Sequence, residues 1–136
     1  MSHRQFPFVV LEIEADNLQR AASFYSAIFG WTFTDSVVER GALDADLGAD
    51  HDTLVRVHLR ARHRPAGPAA RHRPAAPAHG HSLCVHDLAS VMAGLVAAGG
   101  QLIAGPAHVP GLGRRLYVRD TEGNDVAILE PSHGTR

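Results

Sequence analysis

The chain carries the same local pattern twice, and this duplication restricts its possible folds more than any other feature of the sequence. The first copy begins with PFVVLEIE at residues 7–14, where one strongly apolar face alternates with a more polar one, and continues with a helix-spaced apolar segment up to Gly30. The second copy begins with HSLCV at residues 81–85 and ends at Gly99 and Gly100. Alternation is typical of a strand, the longer spacing is typical of a helix, and glycine commonly ends a helix. Each copy is therefore predicted to start as a strand followed by a helix.

The two copies correspond at a constant offset along the chain. The matched pairs are Ile13 and Leu83, Leu18 and Leu88, Asn17 and Asp87, and Gly30 and Gly100. Asp16 or Asn17 in the first copy and Asp87 in the second can accept hydrogen bonds from the free N–H groups at the start of each helix. Further strand candidates follow the helices, at residues 31–39, 52–60, 101–105, 114–120 and 124–130. The sequence thus predicts a single α+β domain, residues 1–136, of two β-α-β-β-β modules.

A second and younger repeat lies between the two copies. ARHRPAGPA at residues 61–69 is followed by ARHRPAAPA at residues 70–78. Because proline lacks an N–H and has a fixed φ, this composition excludes a continuous helix or a central strand and favours extended chain. We therefore expect a linker at about 61–78, which joins module one at about 6–60 to module two at about 79–131.

The composition is that of a globular protein. Hydrophobic residues make up 45% and charged residues 20% of the 136 residues, and the net charge is −1. A neutral chain has no general attraction to nucleic acid or to an anionic membrane, so neither is expected as a partner. Cys84 is the only cysteine, which excludes an internal disulfide and a multi-cysteine zinc site. No apolar run approaches the ~20 residues that span a bilayer, and we expect a soluble, cytoplasmic protein.

The helical segments and the C-terminal strands carry a family resemblance. ADNLQRAASFYSAIFGW at 15–31, VHDLASVMAGLVAAGG at 85–100 and GPAHVPGLGRRLYVRDTEGNDVAILEP at 105–131 resemble the vicinal oxygen chelate superfamily, which includes glyoxalases, bleomycin-resistance proteins and extradiol dioxygenases. The resemblance covers roughly residues 7–34 and 81–131, and it is specific because order, spacing and duplication agree. It implies curled mixed sheets around a cavity, with the helices outside, and commonly a homodimer.

The resemblance also implies where a catalytic metal would be held. Family members that perform chemistry usually bind one divalent ion through His, Gln and Glu side chains that project into the cavity. The corresponding positions here are Val10, Gly80 and Ala127, and none of these side chains can bind a metal. A fourth position lies near Arg56 or His58. Catalytic metal sites normally have three protein ligands, so no metal cofactor is expected.

A local irregularity in the strand around Gly80 would provide a histidine ligand for a metal. His79 and His81 flank Gly80, and a one-residue bulge in this strand would turn either of them towards the cavity. Without such a bulge, strand alternation directs both away from it. The alternative function is therefore that of a metal-dependent lyase, isomerase or dioxygenase acting on a small oxygenated substrate.

Strand alternation nominates the residues that line the cavity. Side chains on the same face as the three metal positions, and polar residues that alternate with apolar ones on neighbouring strands, are expected to bind the ligand. They are Val10, Glu12, Arg56, His58, Ser82, Cys84, Arg115, Tyr117, Ala127 and Leu129. Arg119 and Asp125 share this alternation but can equally face solvent near the last hairpin. The expected function is metal-free sequestration or transport of a small organic ligand; Glu12, His58 and Tyr117 are the acid–base candidates if a reaction is catalysed.

Overall fold

One helix and four strands make up each of two modules in the structure, a computed structural model that describes residues 8–47, 54–63 and 81–132. The elements of the first module are β1 (Phe8–Ala15), α1 (Leu18–Phe29), β2 (Thr34–Asp35), β3 (Leu43–Leu47) and β4 (Leu54–Ala61). Those of the second are β5 (Leu83–Cys84), α2 (Leu88–Leu95), β6 (Gln101–Val109), β7 (Gly113–Arg119) and β8 (Asp125–Pro131). The predicted α+β fold of two β-α-β-β-β modules is confirmed.

Each module forms one four-stranded mixed sheet. The strand order is β1-β4-β3-β2 in the first sheet and β5-β8-β7-β6 in the second. The first and last strands of each module are parallel neighbours, whereas the other neighbours are antiparallel. Parallel neighbours need a long connection instead of a hairpin, so the helix and the middle strands of each module lie between them in sequence.

Both helices start at the residues that the sequence predicts. The Asn17 side chain accepts a hydrogen bond from the backbone N–H of Arg20 at 3.0 Å, and Asp87 accepts one from the N–H two residues later at 3.0 Å. Gly30 takes the left-handed conformation that ends α1, with a φ of 74°. The second helix ends earlier than predicted, and turns connect it to Gly99. In the described ranges, neither helix is long and apolar enough to cross a membrane.

The core lies between the helices and one face of each sheet. Its most deeply buried apolar residues are Ala21, Phe24, Tyr25, Val57, Leu59, Leu88, Leu95, Leu116, Val118 and Ile128. The matched leucines of the two helices differ, because Leu88 is 0% exposed whereas Leu18 is only partly buried. The duplicated pattern therefore identifies the inward face of each helix but not the depth of each position.

The largest difference from the sequence prediction is in the strands of module one. Residues 31–39 contain only the two-residue strand β2. The Ser36 hydroxyl accepts hydrogen bonds from two backbone N–H groups that follow it, at 3.2 and 3.1 Å, and these bonds form a turn instead of a longer strand. Strand β3 lies where no strand is predicted, since Asp44 and Asp46 disfavour strands by propensity.

Most of the predicted linker lies outside the described residues. The description ends shortly after β4, at residue 63, and resumes at residue 81. Residues 64–78, His79 and Gly80 therefore lie outside it. The linker and the module boundaries stay predictions.

Candidate functional site

Each sheet has a face that points away from its helix, and the predicted site residues divide between these two faces. On the first sheet, one row of cross-strand neighbours is Glu12, His58 and Asp44, and the next row is Val10, Arg56 and Asp46. We refer to the surface formed by these six residues as the charged face. It brings together the four predicted residues of module one.

His58 is buried on the charged face and lies between two carboxylates. Its Nδ1 is 2.5 Å from an oxygen of Asp44, and its Nε2 is 2.9 Å from an oxygen of Glu39. Burial lowers the pKa of His58, but the hydrogen bonds to Asp44 and Glu39 outweigh burial and raise the pKa above its ordinary value. A protonated ring that donates from both nitrogens has no lone pair with which to bind a metal or to remove a proton.

Arg56 is also paired with carboxylates. Its Nε donates to Asp46 at 2.7 Å, its Nη2 donates to the second oxygen at 3.3 Å, and Asp44 lies 3.9 Å away. The hydrogen bond from Arg56 lowers the pKa of Asp46 below its usual range. Arg60 lies 3.3 Å from Glu39 in a further ion pair. The positive charges of this face are thus largely matched by its own carboxylates.

The second sheet carries the remaining predicted residues, and we refer to its outer surface as the pocket face. They are Ser82, Cys84, Arg115, Tyr117, Ala127 and Leu129. The first of them precedes β5 and is half-buried. In the cross-strand register, Leu129 lies between Arg115 and Cys84, and Ala127 is next to Tyr117. Cys84 is exposed, whereas Ala127 and Leu129 are buried.

A pocket of about 300 Å³ opens on the pocket face beside β6 and β7. Its lining residues are Ala104, Gly105, Ala107, His108, Val109, Pro110, Arg115 and Tyr117. Arg115 and Tyr117 belong to the predicted set. Residues 104–110 do not, and they form the larger part of the wall.

The pocket wall from β6 is irregular, which explains why sequence reasoning missed it. The pairing of β6 with β7 shifts register on both sides of Ala104. Gly105 has a φ of 90°, and a Cβ at this position would lie 2.7 Å from the carbonyl oxygen of Arg115. Only glycine permits this close approach of two backbones. The available signal was the pair Gly105 and Pro106, because such a pair inside a strand pattern indicates a bulge.

Two arginines of β7, Arg115 and Arg119, have different surroundings. The Cζ of Arg115 lies 5.3 Å from the centre of the Tyr117 ring, which is within the range of a cation–π contact. Arg119 is 2% exposed, and its Nε donates to Asp125 at 2.6 Å. The sequence left open whether Arg119 and Asp125 face solvent, and the structure buries Arg119 in this ion pair.

The donor set does not fit the metal that the family resemblance implies. Val10 and Ala127 offer only methyl groups, and Gly80 lies outside the described residues. His81 is exposed ahead of β5, and His79 also lies outside the description. In the part of the chain that the structure describes, no three His, Cys, Asp or Glu side chains are grouped to hold a metal ion. The described residues therefore do not form the three-ligand site that a catalytic metal normally needs.

The loop between β7 and β8 connects the two modules through buried polar groups. Tyr25 of α1 donates its hydroxyl hydrogen to one oxygen of Asp120 at 2.6 Å. The other oxygen accepts hydrogen bonds from the N–H groups of Glu122 at 2.8 Å and Asn124 at 2.9 Å. Burial raises the pKa of Asp120, and it raises the pKa of Tyr25 well above its usual value. This contact fixes the loop against the first module.

Glu122 makes a second contact from the same loop to α1. Its carboxylate accepts hydrogen bonds from Arg20 at 2.7 and 3.0 Å, and from the N–H of Asn17 at 2.9 Å. Burial raises the pKa of Glu122, but the hydrogen bonds from Arg20 and Asn17 outweigh burial and lower the pKa below its ordinary value. Sequence analysis indicated only a hairpin here, because the partners of its loop are distant along the chain.

Sequence comparison finds relatives of this chain. Residues 8–128 match the sequence model of the Glyoxalase/Bleomycin resistance protein/Dioxygenase superfamily. Two relatives, from Mycobacterium bovis and Mycobacterium tuberculosis, carry the name "Putative glyoxylase CFP32". Each is 29% identical to this chain over 129 residues, a match that covers 89% of this chain and 42% of the relative. The chain therefore spans less than half the length of these relatives.

Solved structures share the fold. TnmS3, described as an antibiotic binding protein from Streptomyces sp. CB03234, has a TM-score of 0.60 and 21% identity, with 97% of this chain and 99% of that chain covered. A glyoxalase/bleomycin resistance protein from the same Streptomyces strain has a TM-score of 0.58 and 21% identity, covering 90% and 98%. Hypothetical protein SA1046 from S. aureus has a TM-score of 0.60 and 16% identity, covering 93% and 96%. At these identities the likeness supports the fold alone.

Proposed function

The chain belongs to the Glyoxalase/Bleomycin resistance protein/Dioxygenase superfamily, and from this premise we propose that it binds and sequesters a small organic molecule without a metal ion. The observation that carries the proposal is the pocket of about 300 Å³, with small side chains along β6 and the polar groups of Arg115 and Tyr117 on β7. Ligand pockets of roughly 300–1,000 Å³ typically combine apolar walls with a few polar groups that orient the ligand. Binding as a function also agrees with the description of TnmS3, a protein of the same fold, as antibiotic binding.

Side-chain chemistry favours binding over metal-dependent catalysis. Val10 and Ala127 occupy two positions where family members hold a metal, and neither can donate an electron pair to an ion. A catalytic metal normally needs three protein ligands. Metal-free acid–base chemistry is also disfavoured at His58, because both ring nitrogens are engaged by carboxylates.

In this proposal the ligand lies on the pocket face and extends towards β5. Residues beyond the pocket lining that continue this surface are Ser82, Cys84, Ala127 and Leu129. The charged face, with Val10, Glu12, Arg56 and His58, forms the opposite wall of the cavity that the family fold implies. The ion pairs make the charged face a rigid wall, whereas the pocket face makes the contacts that determine which ligand binds.

Native mass spectrometry of protein purified without added metal tests the proposal most directly, because it reports bound metal, retained ligand and subunit count together. We expect far less than one Zn²⁺, Ni²⁺, Mn²⁺ or Fe²⁺ per chain. Chelators should also leave the melting temperature unchanged, since there is no metal-binding free energy to remove. Stoichiometric metal that is lost in His79→Ala or His81→Ala would instead establish the metal-dependent alternative.

A thermal-shift screen with a library of small organic compounds tests binding at the pocket. A ligand that binds only the folded chain raises the melting temperature by an amount that grows with the logarithm of its concentration relative to Kd. Ala107→Phe fills the pocket and should abolish the shift caused by a hit. Ala93→Phe, on the exposed side of α2, is the matched control and should preserve it. Hits that are unaffected by Ala107→Phe would place the binding site elsewhere.

We also propose that the protein is a homodimer. β1 is an edge strand of its sheet, and Val9 and Val10 on it are 53% and 43% exposed. The outer edge of such a strand has backbone N–H and C=O groups with which the same edge of a second copy can pair. The subunit count from native mass spectrometry, at micromolar protein concentration, should be two; a single-chain mass at that concentration would contradict this part of the proposal.

A further inference from the structure

We propose that the ligand is a flat aromatic compound with a carboxylate or a similar compact anionic group, which Arg115 binds while Tyr117 stacks on the ring. This inference rests on the proposed function and specifies the chemical class of its ligand. It follows from the charges around the pocket, from the geometry of β7 and from the shape of the β6 wall.

Arg115 differs from the other arginines on the outer faces of the two sheets. Arg56 is paired with Asp46, and Arg119 is paired with Asp125. Within the described residues, Arg115 makes no ion pair, and its guanidinium lies over the ring of Tyr117. It is also only half-buried and lines the pocket, so its guanidinium can reach a ligand.

The surroundings of the pocket select for an anion. No carboxylate is among its lining residues, and Arg115 brings a positive charge to it. Asp125, on the same face, is occupied by Arg119, while Glu130 accepts a hydrogen bond from the N–H of Leu88. A cationic ligand would therefore meet Arg115 without a compensating acid. A carboxylate would form the two parallel hydrogen bonds that a guanidinium prefers.

The shape of the pocket selects for a flat molecule. Ala104 is the cross-strand neighbour of Tyr117, and Ala107 is the neighbour of Arg115. These methyl groups, with Gly105 between them, leave the Tyr117 ring accessible along β6. Aromatic rings prefer offset stacking or edge-to-face contacts with a second ring. The volume of about 300 Å³ is at the lower end for ligand pockets and suits one or two rings.

Isothermal titration calorimetry with three matched probes tests the inference. The probes are 2-naphthoate, 2-naphthamide and 2-naphthylmethylammonium, which share one ring system and differ in charge. A charge-assisted hydrogen bond contributes about 1.5–3 kcal/mol, so 2-naphthoate should bind at least about tenfold more tightly than the amide. Higher salt should narrow this difference, because the pocket is partly open to solvent.

Substitutions of Arg115 and Tyr117 separate anion binding from ring stacking. Arg115→Gln should reduce the acid-to-amide ratio to about twofold or less, because the acid loses more affinity than the amide. Arg114→Gln is the matched control, because it removes the same charge one residue away, where the side chain is exposed on the other face of β7. It should preserve the ratio. Tyr117→Leu should weaken binding of the acid and the amide alike.

The outcomes distinguish this inference from the function on which it rests. Binding of the amide or the ammonium probe as tightly as the acid would overturn the inference and leave ligand binding in place. Equal effects of Arg115→Gln and Arg114→Gln would also overturn it. Failure of all three probes to bind, together with an empty thermal-shift screen, would count against the proposed function itself.

Discussion

Replacing Tyr25 with phenylalanine tests whether the buried loop contact holds the two modules together. Tyr25 is 0% exposed, and its hydroxyl donates to Asp120 at 2.6 Å. The substitution removes this hydrogen bond but keeps the ring, which is stacked with its centre 5.7 Å from that of Trp31. A hydrogen bond to a charged group contributes about 1.5–3 kcal/mol, so the free energy of unfolding should fall by about that amount.

The loss should not be larger, because Asp120 keeps other donors. The N–H groups of Glu122 and Asn124 still bind one oxygen, and the side-chain amide of Asn124 binds the other at 3.0 Å. Asp120→Ala removes the acceptor instead of one donor, and it leaves the Tyr25 hydroxyl and two N–H groups without a partner. That variant should therefore lose more stability than Tyr25→Phe.

The cost of Tyr25→Phe should also depend on pH. Burial raises the pKa of Asp120, and the hydrogen bond from Tyr25 opposes this rise. Removal of the hydroxyl therefore raises the pKa of Asp120 further. A carboxyl group whose folded pKa exceeds its unfolded value of about 3.9 contributes stability that is present below that value and is lost as the pH rises through the folded pKa. The deficit of the variant should accordingly grow as the pH rises above about 4.

Urea-induced unfolding followed by circular dichroism measures these differences. Tyr117→Phe is the matched control, because the Tyr117 hydroxyl makes no hydrogen bond with the part of the chain that the structure describes. Its effect should stay within about 0.5 kcal/mol. A loss for Tyr25→Phe no larger than that of the control, or a deficit that shrinks as the pH rises, would refute the reasoning.

Three further predictions concern stability. The folded pKa of His58 is raised, so its ion pairs with Asp44 and Glu39 should stabilise the fold below about pH 6.5, and this stabilisation should be lost as the pH rises through the folded pKa. In His58→Gln, the free energy of unfolding in urea should therefore depend less on pH above about pH 6.5. Leu88→Ala should cost about 2–5 kcal/mol in the same assay and Leu18→Ala clearly less, since only the former side chain is fully buried; equal losses would contradict this. Deletion of residues 70–78 should leave the free energy of unfolding nearly unchanged, because loop-closure entropy varies slowly with length, and a loss of several kcal/mol would show that the repeat packs against the modules.

The fold was predictable because its signals are local. Alternation in β1 and helical spacing in α1 are visible within a few residues, and Asn17 and Asp87 act as the predicted caps. Alternation also assigned Arg56 and His58 to the same face as Glu12, and the register of β1 and β4 agrees with this assignment. Where local signals conflicted with tertiary pairing, as in the acidic strand β3, the prediction was wrong.

The candidate site was less predictable because its determining contacts are distant along the chain. The carboxylates that engage Arg56 and His58 come from β3 and from the preceding turn, neither of which the pattern indicated. The β6 wall depends on a bulge at Gly105, and a bulge changes which side chains face inward. The contact of Tyr25 with Asp120 joins two modules, so the periodicity of apolar residues, which is a local signal, does not predict it.

The two helices differ in which module completes their first turn. In α2, the N–H of Leu88 donates to Glu130 of the same module at 2.8 Å. In α1, the N–H of Asn17, where the helix begins, donates to Glu122 of the other module at 2.9 Å. During synthesis, the start of the first helix must therefore wait for a carboxylate that leaves the ribosome about a hundred residues later, whereas the second helix acquires its partner soon after it is made. The start of the first helix thus waits for 105 further residues of chain, and the start of the second for only 42.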